Sequence, residues 1–378
     1  MSVDAAAAAA TSLAVRSVGV AGTGGIGLAS AAWLARAGLA VTVWSPRGGG
    51  AGGGGGGGGA QALKQAPLVA HGVFDAQVPV AVAADARELA ARSDFLLVAV
   101  PMNAHRAVMD ALLPHLEPRH RVLVSSTGSL SSLYLFEAAR RRGVELLVGS
   151  LGTTTLTARR DGAARVRVMT RRTTMGLSAL PSSRGDEMLA LCRALFGDVF
   201  FREQDALAST LSNINPAAHG PLALFNWTRI ERAENWPQYH YMTPQVAGVI
   251  ERLEAERLAL ARAFGVEVRT IERHFAESFG VQSMRLADIA AELHAKRGGP
   301  PGPTDVQTRF ITEDLPFGLV FAAALGRVAA VATPATDTVV AAASLLSGRD
   351  WSAANDLIGP LGLERETVAG LQRRVRAS

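Results

Sequence analysis

Lysine is nearly missing from this chain. Of 38 basic residues only Lys64 and Lys296 are lysines, and the rest are arginines. An acid–base mechanism built on a helix-borne ammonium therefore has two candidates. One lies beside a glycine run and the other beside a Pro/Gly loop, and neither is well placed. Cysteine is scarcer still: Cys192 is the only one, which excludes an internal disulfide and any multi-cysteine zinc site. It lies in the apolar helical stretch Met188–Phe196 and reads as a buried small hydrophobe, and no metal site is expected. No uncharged apolar run reaches the ~18 residues of a membrane span, so no membrane partner is expected. The N-terminal MSVDAAAAAATSLAV lacks a basic segment and carries Asp4, unlike a secretory signal, so a cytoplasmic location is expected. The arginines are dispersed without interleaved aromatics, which argues against nucleic acid.

What is present suffices for two domains: 378 residues, 48% of them apolar. The net charge of +5 is uneven. Residues 1–200 hold 20 basic and 13 acidic residues, a balance of +7, whereas residues 201–378 hold 18 and 20, a balance of −2. A basic first half without a polyanion-binding pattern suits a phosphate-bearing small molecule.

The chain opens as strand, glycine turn, helix and strand: residues 16–20, Gly22–Gly27, Leu28–Ala37 closed by Gly38, then Ala40–Trp44. Gly48–Gly59 follows, eleven glycines and one alanine, which reads as a flexible loop because it has nothing to bury. Further strands are expected at Val78–Val82, Phe95–Val100, Arg121–Ser125 and Leu146–Gly149, with helices at Ala86–Ala91 and Ala104–Leu113. This alternation predicts an α/β Rossmann domain, a doubly wound parallel sheet, over residues 1–200. Beyond it the period becomes helical, at Ala206–Asn213, Ala217–Glu231, Thr243–Phe264, Val268–Phe275, Leu286–Ala295, Asp314–Ala330 and Pro334–Leu346. Thr312 and Thr333 look like helix starts and Gly348 like a stop. An all-α domain is expected over residues 201–378.

Gly22-Thr23-Gly24-Gly25-Ile26-Gly27 is a GxGxxG turn in the context that gives the pattern meaning, after a strand and before a helix. Gly22 permits the tight turn, Gly24 lets a pyrophosphate approach the backbone, and Gly27 lets helix pack on strand. An NAD site usually carries an acid at the end of the second strand. Here that place reads Trp44-Ser45-Pro46-Arg47, and Ser45 and Arg47 can donate to a 2′-phosphate, which favours NADP(H) over NAD(H). Pro101 and Met102, after the buried FLLVAV strand, are expected near the nicotinamide.

Of the eight histidines, His105, His115, His120 and His294 read as residues of polar faces or loops. His219 differs, because it lies in Asn213-Ile-Asn215-Pro216-Ala-Ala-His219-Gly220-Pro221, with polar groups clustered inside apolar sequence. Asn215 and His219, four apart, can share a helix face. On these residues alone a hydrogen-bonded core histidine is the stronger reading. A second cluster, Arg309-Phe-Ile-Thr-Glu-Asp314-Leu-Pro-Phe-Gly, places a guanidinium and a carboxylate five apart, which suits a shared cleft better than a surface pair.

Together NPAAHGP, TRFITEDLPFGL and LGRVAAVATPATD resemble the NAD/NADP octopine/nopaline dehydrogenase, or opine dehydrogenase, family over nearly the whole chain. The resemblance implies His219 as the acid–base residue, Asp314 as its partner and Arg309 as the holder of a keto-acid carboxylate. It also implies reductive condensation of an amino acid with a 2-oxo acid such as pyruvate, through an imine that takes hydride from NAD(P)H. Asn215 and Trp227 are further candidates for substrate contact, although Trp227, Trp236 and Tyr239 read more readily as core. A carboxylate beside the imidazole is expected to favour imidazolium. A homodimer is compatible with this reading. The rival is a ketopantoate-reductase-like or β-hydroxyacid dehydrogenase, which generally uses a helix-borne lysine. A non-catalytic nucleotide-binding redox sensor is a third possibility that would not need His219, Arg309 and Asp314 together.

Overall fold

The computed structural model describes residues 15–46 and 57–377. The chain forms two compact units. One runs to Thr210 and takes in the residues from Arg374 onward; the other is Leu211–Arg373.

The first unit is built on an eight-stranded sheet. It opens with the parallel pair β1 (Ser17–Ala21) and β2 (Ala40–Trp44), joined by helix α1 (Gly25–Arg36). The end of the Gly48–Gly59 run and the residues after it form a short helix, α2 (Gly57–Leu63), then β3 (Leu68–Gly72), β4 (Ala76–Val78) and β5 (Ala81–Val82). Helix α3 (Ala86–Ala91), capped by the Asp85 carboxylate on the Glu88 amide, leads into β6 (Phe95–Val98). Helix α4 (His105–Leu112), β7 (Arg121–Ser125), α5 (Ser131–Arg141) and β8 (Leu147–Leu151) continue the alternation. The strand order β5-β2-β1-β6-β7-β8 is parallel throughout, the doubly wound Rossmann order. A hairpin of β9 (Leu156–Gly162) and β10 (Arg165–Arg171) precedes β11 (Met175–Leu180), helix α6 (Gly185–Phe196) and β12 (Phe200–Arg202). β11 runs antiparallel to β8 and closes that edge of the sheet with β12.

Several expectations are corrected here. The run expected as one strand, Val78–Val82, is two, because Pro79 cannot donate to a ladder and the chain changes sheets there. β3 and β4 join β9 and β10 in a second sheet, of four strands, that the sequence reading missed. Its inner residues Leu68, Ala70, Val166 and Val168 are buried with the core of the first unit. Gly57–Gly59 belong to helix α2 rather than to a loop, since the Gln61–Leu63 turn continues back into them. The remainder of the glycine run, with Arg47, lies outside the described residues. The two units divide after Thr210. β12 pairs with β11, and Asp205, fully buried, accepts from the Leu207 and Ala208 amides and from Arg376, which returns to this unit.

Cys192 is buried in α6, where burial pushes its thiol pKa up, as fits an inert core residue. His105 and His120, expected on polar faces or loops, are fully buried. Each is satisfied at both ring nitrogens: His105 by Ser131 Oγ and the Val100 carbonyl, His120 by the Glu117 amide and the Ala90 carbonyl.

The second unit is helical. After α7 (Ala206–Leu211), which leads into it, come α8 (Asn215–Leu224), α9 (Trp227–Glu231), α10 (Pro244–Ala263), α11 (Ile271–Phe279) and α12 (Leu286–Arg297). They are followed by one turn, α13 (Arg309–Thr312), a π-helical segment (Leu315–Val320), α14 (Phe321–Ala329) and α15 (Pro334–Ser347). Among the described residues no helix is long and apolar enough to cross a membrane. Thr333, Pro334 and Gly348 bound α15 as expected. The start assigned to Thr312 belongs instead to Thr308, whose hydroxyl accepts from the Phe310 amide, while Thr312 Oγ1 donates back to the Thr308 carbonyl. The helix expected over Asp314–Ala330 is π-helical in its first part, Leu315–Val320, with Pro316 in the opening turn.

Candidate active site

Two sites can be built, one in each unit. In the first, Gly22 adopts φ +132°, and a Cβ there would stand 2.2 Å from the Ala99 carbonyl oxygen. Its amide donates to the Trp44 carbonyl at 2.8 Å, tying the turn to the end of β2. A Cβ at Gly27 would sit 2.0 Å from the Gly22 oxygen, so helix and turn pack without side chains between them. Gly24, by contrast, is exposed, and a Cβ there would meet nothing within 4 Å. Helix α1 starts at Gly24 with no side-chain cap and no acidic residue in its first turn. An open backbone facing an uncapped helix N-terminus is what a pyrophosphate requires, so the residues present fit a dinucleotide. Thr23 is buried, while Gly25 and Ile26 are half-buried at the same turn. Ser45 is half-buried just beyond β2. Pro101 is exposed after β6, and Met102 is buried against Gly128, in the loop after β7. Ligands of doubly wound sheets bind beyond these carboxyl ends of the strands.

The second site centres on His219 in α8. Its Nδ1 lies 2.8 Å from Asp314 Oδ2, with the carboxylate side chain only 4% exposed and the imidazole 16%. Asp314 is therefore an acceptor, Nδ1 carries the proton, and Nε2, which has no partner among the described residues, is the nitrogen left for chemistry. Phe310 lies flat on the imidazole, the ring centroids 3.7 Å apart and the planes 6° apart. Arg309 is exposed and near enough to act electrostatically on His219, and its guanidinium has no hydrogen-bond or ion-pair partner among the described residues. Asn215 opens α8 one turn before His219, half-buried, with its amide on Asn213 Oδ1.

Burial lowers the pKa of His219 below that of a free imidazole, and Arg309 lowers it further; the Asp314 charge and hydrogen bond oppose this without cancelling it. Asp314 favours imidazolium as expected, but desolvation outweighs the ion pair and the net shift is downward. At neutral pH the ring is a neutral base with a fixed tautomer.

The structure thus brings His219, Asp314 and Arg309 together within the second unit. Trp227, a candidate for substrate contact, is buried in the helical core with Trp236. The sequence reading gave Phe310 no role. It follows Arg309 directly in the motif, but the ring it covers lies 91 residues away, and no spacing rule reports that. Of the two lysines, Lys64 is exposed, and Lys296 is exposed and paired with Glu292.

Comparison with known proteins agrees with this division. Residues 202–347 match the family described as NAD/NADP octopine/nopaline dehydrogenase, alpha-helical domain, and residues 18–181 match ketopantoate reductase PanE/ApbA. The chain is 26% identical over 285 residues to an opine dehydrogenase of Arthrobacter sp. strain 1C, covering 75% of this chain and 79% of that protein. Its fold is that of octopine dehydrogenase solved with NADH and agmatine, with TM-score 0.77, 16% identity, and 96% of this chain and 98% of that one covered. It is also similar to yersinopine dehydrogenase with NADP+ bound, at TM-score 0.69 and 15% identity over 96% and 99% of the two chains. Fold and matches together describe a Rossmann-type domain followed by a helical domain, the architecture these dehydrogenases share. The resemblance to the octopine/nopaline dehydrogenase family read from NPAAHGP and TRFITEDLPFGL holds in these matches.

Proposed function

We propose that this chain is an NAD(P)H-dependent opine dehydrogenase. It joins the amine of an amino acid to a 2-oxo acid such as pyruvate and reduces the imine to an N-(carboxyalkyl) amino acid. The observation that carries this reading is the His219–Asp314 pair with Nε2 unengaged and Arg309 unpartnered beside it.

The residues account for each proton. Neutral His219 takes a proton at Nε2 from the substrate ammonium and frees the amine to attack the keto carbon. Asp314, hydrogen-bonded at Nδ1, steadies the imidazolium so formed. The imidazolium then gives its proton to the carbinolamine hydroxyl, which leaves as water and yields the protonated imine. Arg309 grips the carboxylate of the 2-oxo acid and holds the keto carbon in one orientation, a bidentate task for which a guanidinium is suited. Asn215, on the same side of α8 one turn earlier, supplies a further donor. When bound, the nicotinamide supplies the hydride that reduces the imine carbon. Gly22–Gly27 would hold its pyrophosphate. The lack of any carboxylate at Trp44-Ser45-Pro46-Arg47 supports NADP(H) over NAD(H), because an acid there would repel a 2′-phosphate.

The match of residues 18–181 to ketopantoate reductase favours a second reading, reduction of a keto acid alone. Following NADPH oxidation with pyruvate and a panel of amino acids separates the two. Oxidation that needs both substrates, and that His219→Ala abolishes with NADPH affinity unchanged, supports the opine reaction. Oxidation with keto acid alone supports the reductase.

A further inference from the structure

We propose that Phe310 is a positioning residue for the acid–base group. Its ring, stacked flat on His219, fixes the plane in which Nε2 meets the substrate. The role rests on the assignment of His219 as the acid–base residue.

An imidazole hinged on its Cβ is not held by one hydrogen bond. The Asp314 contact fixes a point on the ring, at Nδ1, and leaves the plane of the ring to be set by what packs on its faces. The Phe310 face, at 3.7 Å and 6° from parallel, sets that plane. The stack is also not the arrangement two aromatic rings choose for themselves, which is offset or edge-on. Phe310 reaches the imidazole from α13. Thr308 caps that turn, and Phe310 and its neighbour Ile311 are both anchored in the core of the helical unit.

The consequence is that one short stretch of chain sets three things about a single imidazole. Arg309 places a charge beside it, Phe310 sets its plane, and Asp314 sets its tautomer. With one face covered and Nδ1 engaged, proton exchange is confined to the Nε2 edge. A proton transfer depends steeply on that alignment, whereas binding of substrate and cofactor does not pass through Phe310.

The test is Phe310→Leu, which keeps apolar bulk and loses the flat face, against Phe310→Tyr, which keeps the face. For Phe310→Leu we expect kcat to fall about tenfold or more. The KM values for amino acid, 2-oxo acid and NAD(P)H should stay within roughly threefold. Phe310→Tyr should restore most of kcat. A second readout needs no turnover: the downfield Nδ1–H proton resonance of His219, assigned by its loss in His219→Gln. It should be sharp in the unaltered protein and in Phe310→Tyr, and broadened by solvent exchange in Phe310→Leu. If Phe310→Leu only lowers the melting temperature while kcat and the Nδ1–H resonance stay as they were, the residue is plain core and the proposal is overturned. Should no amino acid and 2-oxo acid pair be turned over while the resonance behaves as described, the opine reading fails, whereas the holding of the His219 ring by Phe310 stands.

Discussion

Gly318 lies directly against Pro216: a Cβ built on Gly318 would stand 2.2 Å from Pro216 Cγ. The π-helical segment that follows Asp314 therefore rests on the first turn of the helix that carries His219. The neighbouring contact is similar, since a Cβ on Gly220 would come within 2.9 Å of Leu319 Cδ1. These close approaches let two segments far apart in the chain hold their polar groups at hydrogen-bond distance.

Gly318→Ala should break that fit. The obstructing atom belongs to a proline ring with little room to yield, so the π segment must shift away from α8. We expect a loss of about 1–3 kcal/mol in stability, typical of overpacking. We also expect a fall in kcat larger than any change in KM, as Asp314 is drawn away from Nδ1. Thermal unfolding and steady-state kinetics on the same preparation check both.

Asp314→Asn keeps the shape of the partner and removes its charge. Since Asp314 is what raises the His219 pKa against burial, the imidazole should become still harder to protonate. The acidic limb of the kcat profile should move to lower pH, with kcat down roughly a hundredfold or more. A profile that keeps its limb would show that some other group titrates in turnover.

Arg309→Ala should move the same limb the other way. Arg309 lowers the His219 pKa, so its removal lets the imidazole titrate at higher pH. The main kinetic effect should be a raised KM for the 2-oxo acid, with the KM for NAD(P)H little changed. Opposite shifts in the two variants are the signature of a single titrating group flanked by both charges.

His105 sets a pH dependence of stability in the first unit. Burial holds its pKa at about 4, against ~6.5 in the unfolded chain. The folded pKa is the lower one, so the stabilisation is fully present above ~6.5. It is lost as pH falls through 6.5 towards 4, to a total of roughly 3 kcal/mol. His120 is also lowered by burial and acts in the same direction. Chemical denaturation from pH 7 to 4 should show this slope, and His105→Gln should flatten it; an unchanged slope would assign it to other groups.

How much of this was legible beforehand differs by element. The glycine turn was, because a positive φ at Gly22 and the helix–turn contact at Gly27 demand glycine locally, and the pattern falls between a strand and a helix. The doubly wound parallel sheet was too, because apolar runs alternate with helical segments. The second sheet was not legible, because β3 pairs with β10 across roughly a hundred residues, and nothing in a five-residue strand names its partner. The burial of His105 and His120 was missed for a related reason. A histidine between polar neighbours looks solvated until the carbonyls of Val100 and Ala90 are seen to meet it.

The sequence alone determined which functional groups exist: an imidazole, a carboxylate, a guanidinium, a glycine cradle, and no lysine in their place. It also determined the local chain geometry around each, since glycine, proline and capping threonine act within a few residues. Tertiary structure alone decided how those groups behave. Burial outweighs Asp314 and leaves His219 a neutral base, and the Phe310 ring comes to lie on it. Desolvation and stacking depend on atoms brought near by packing, and packing joins positions whose separation along the chain carries no record of the contact.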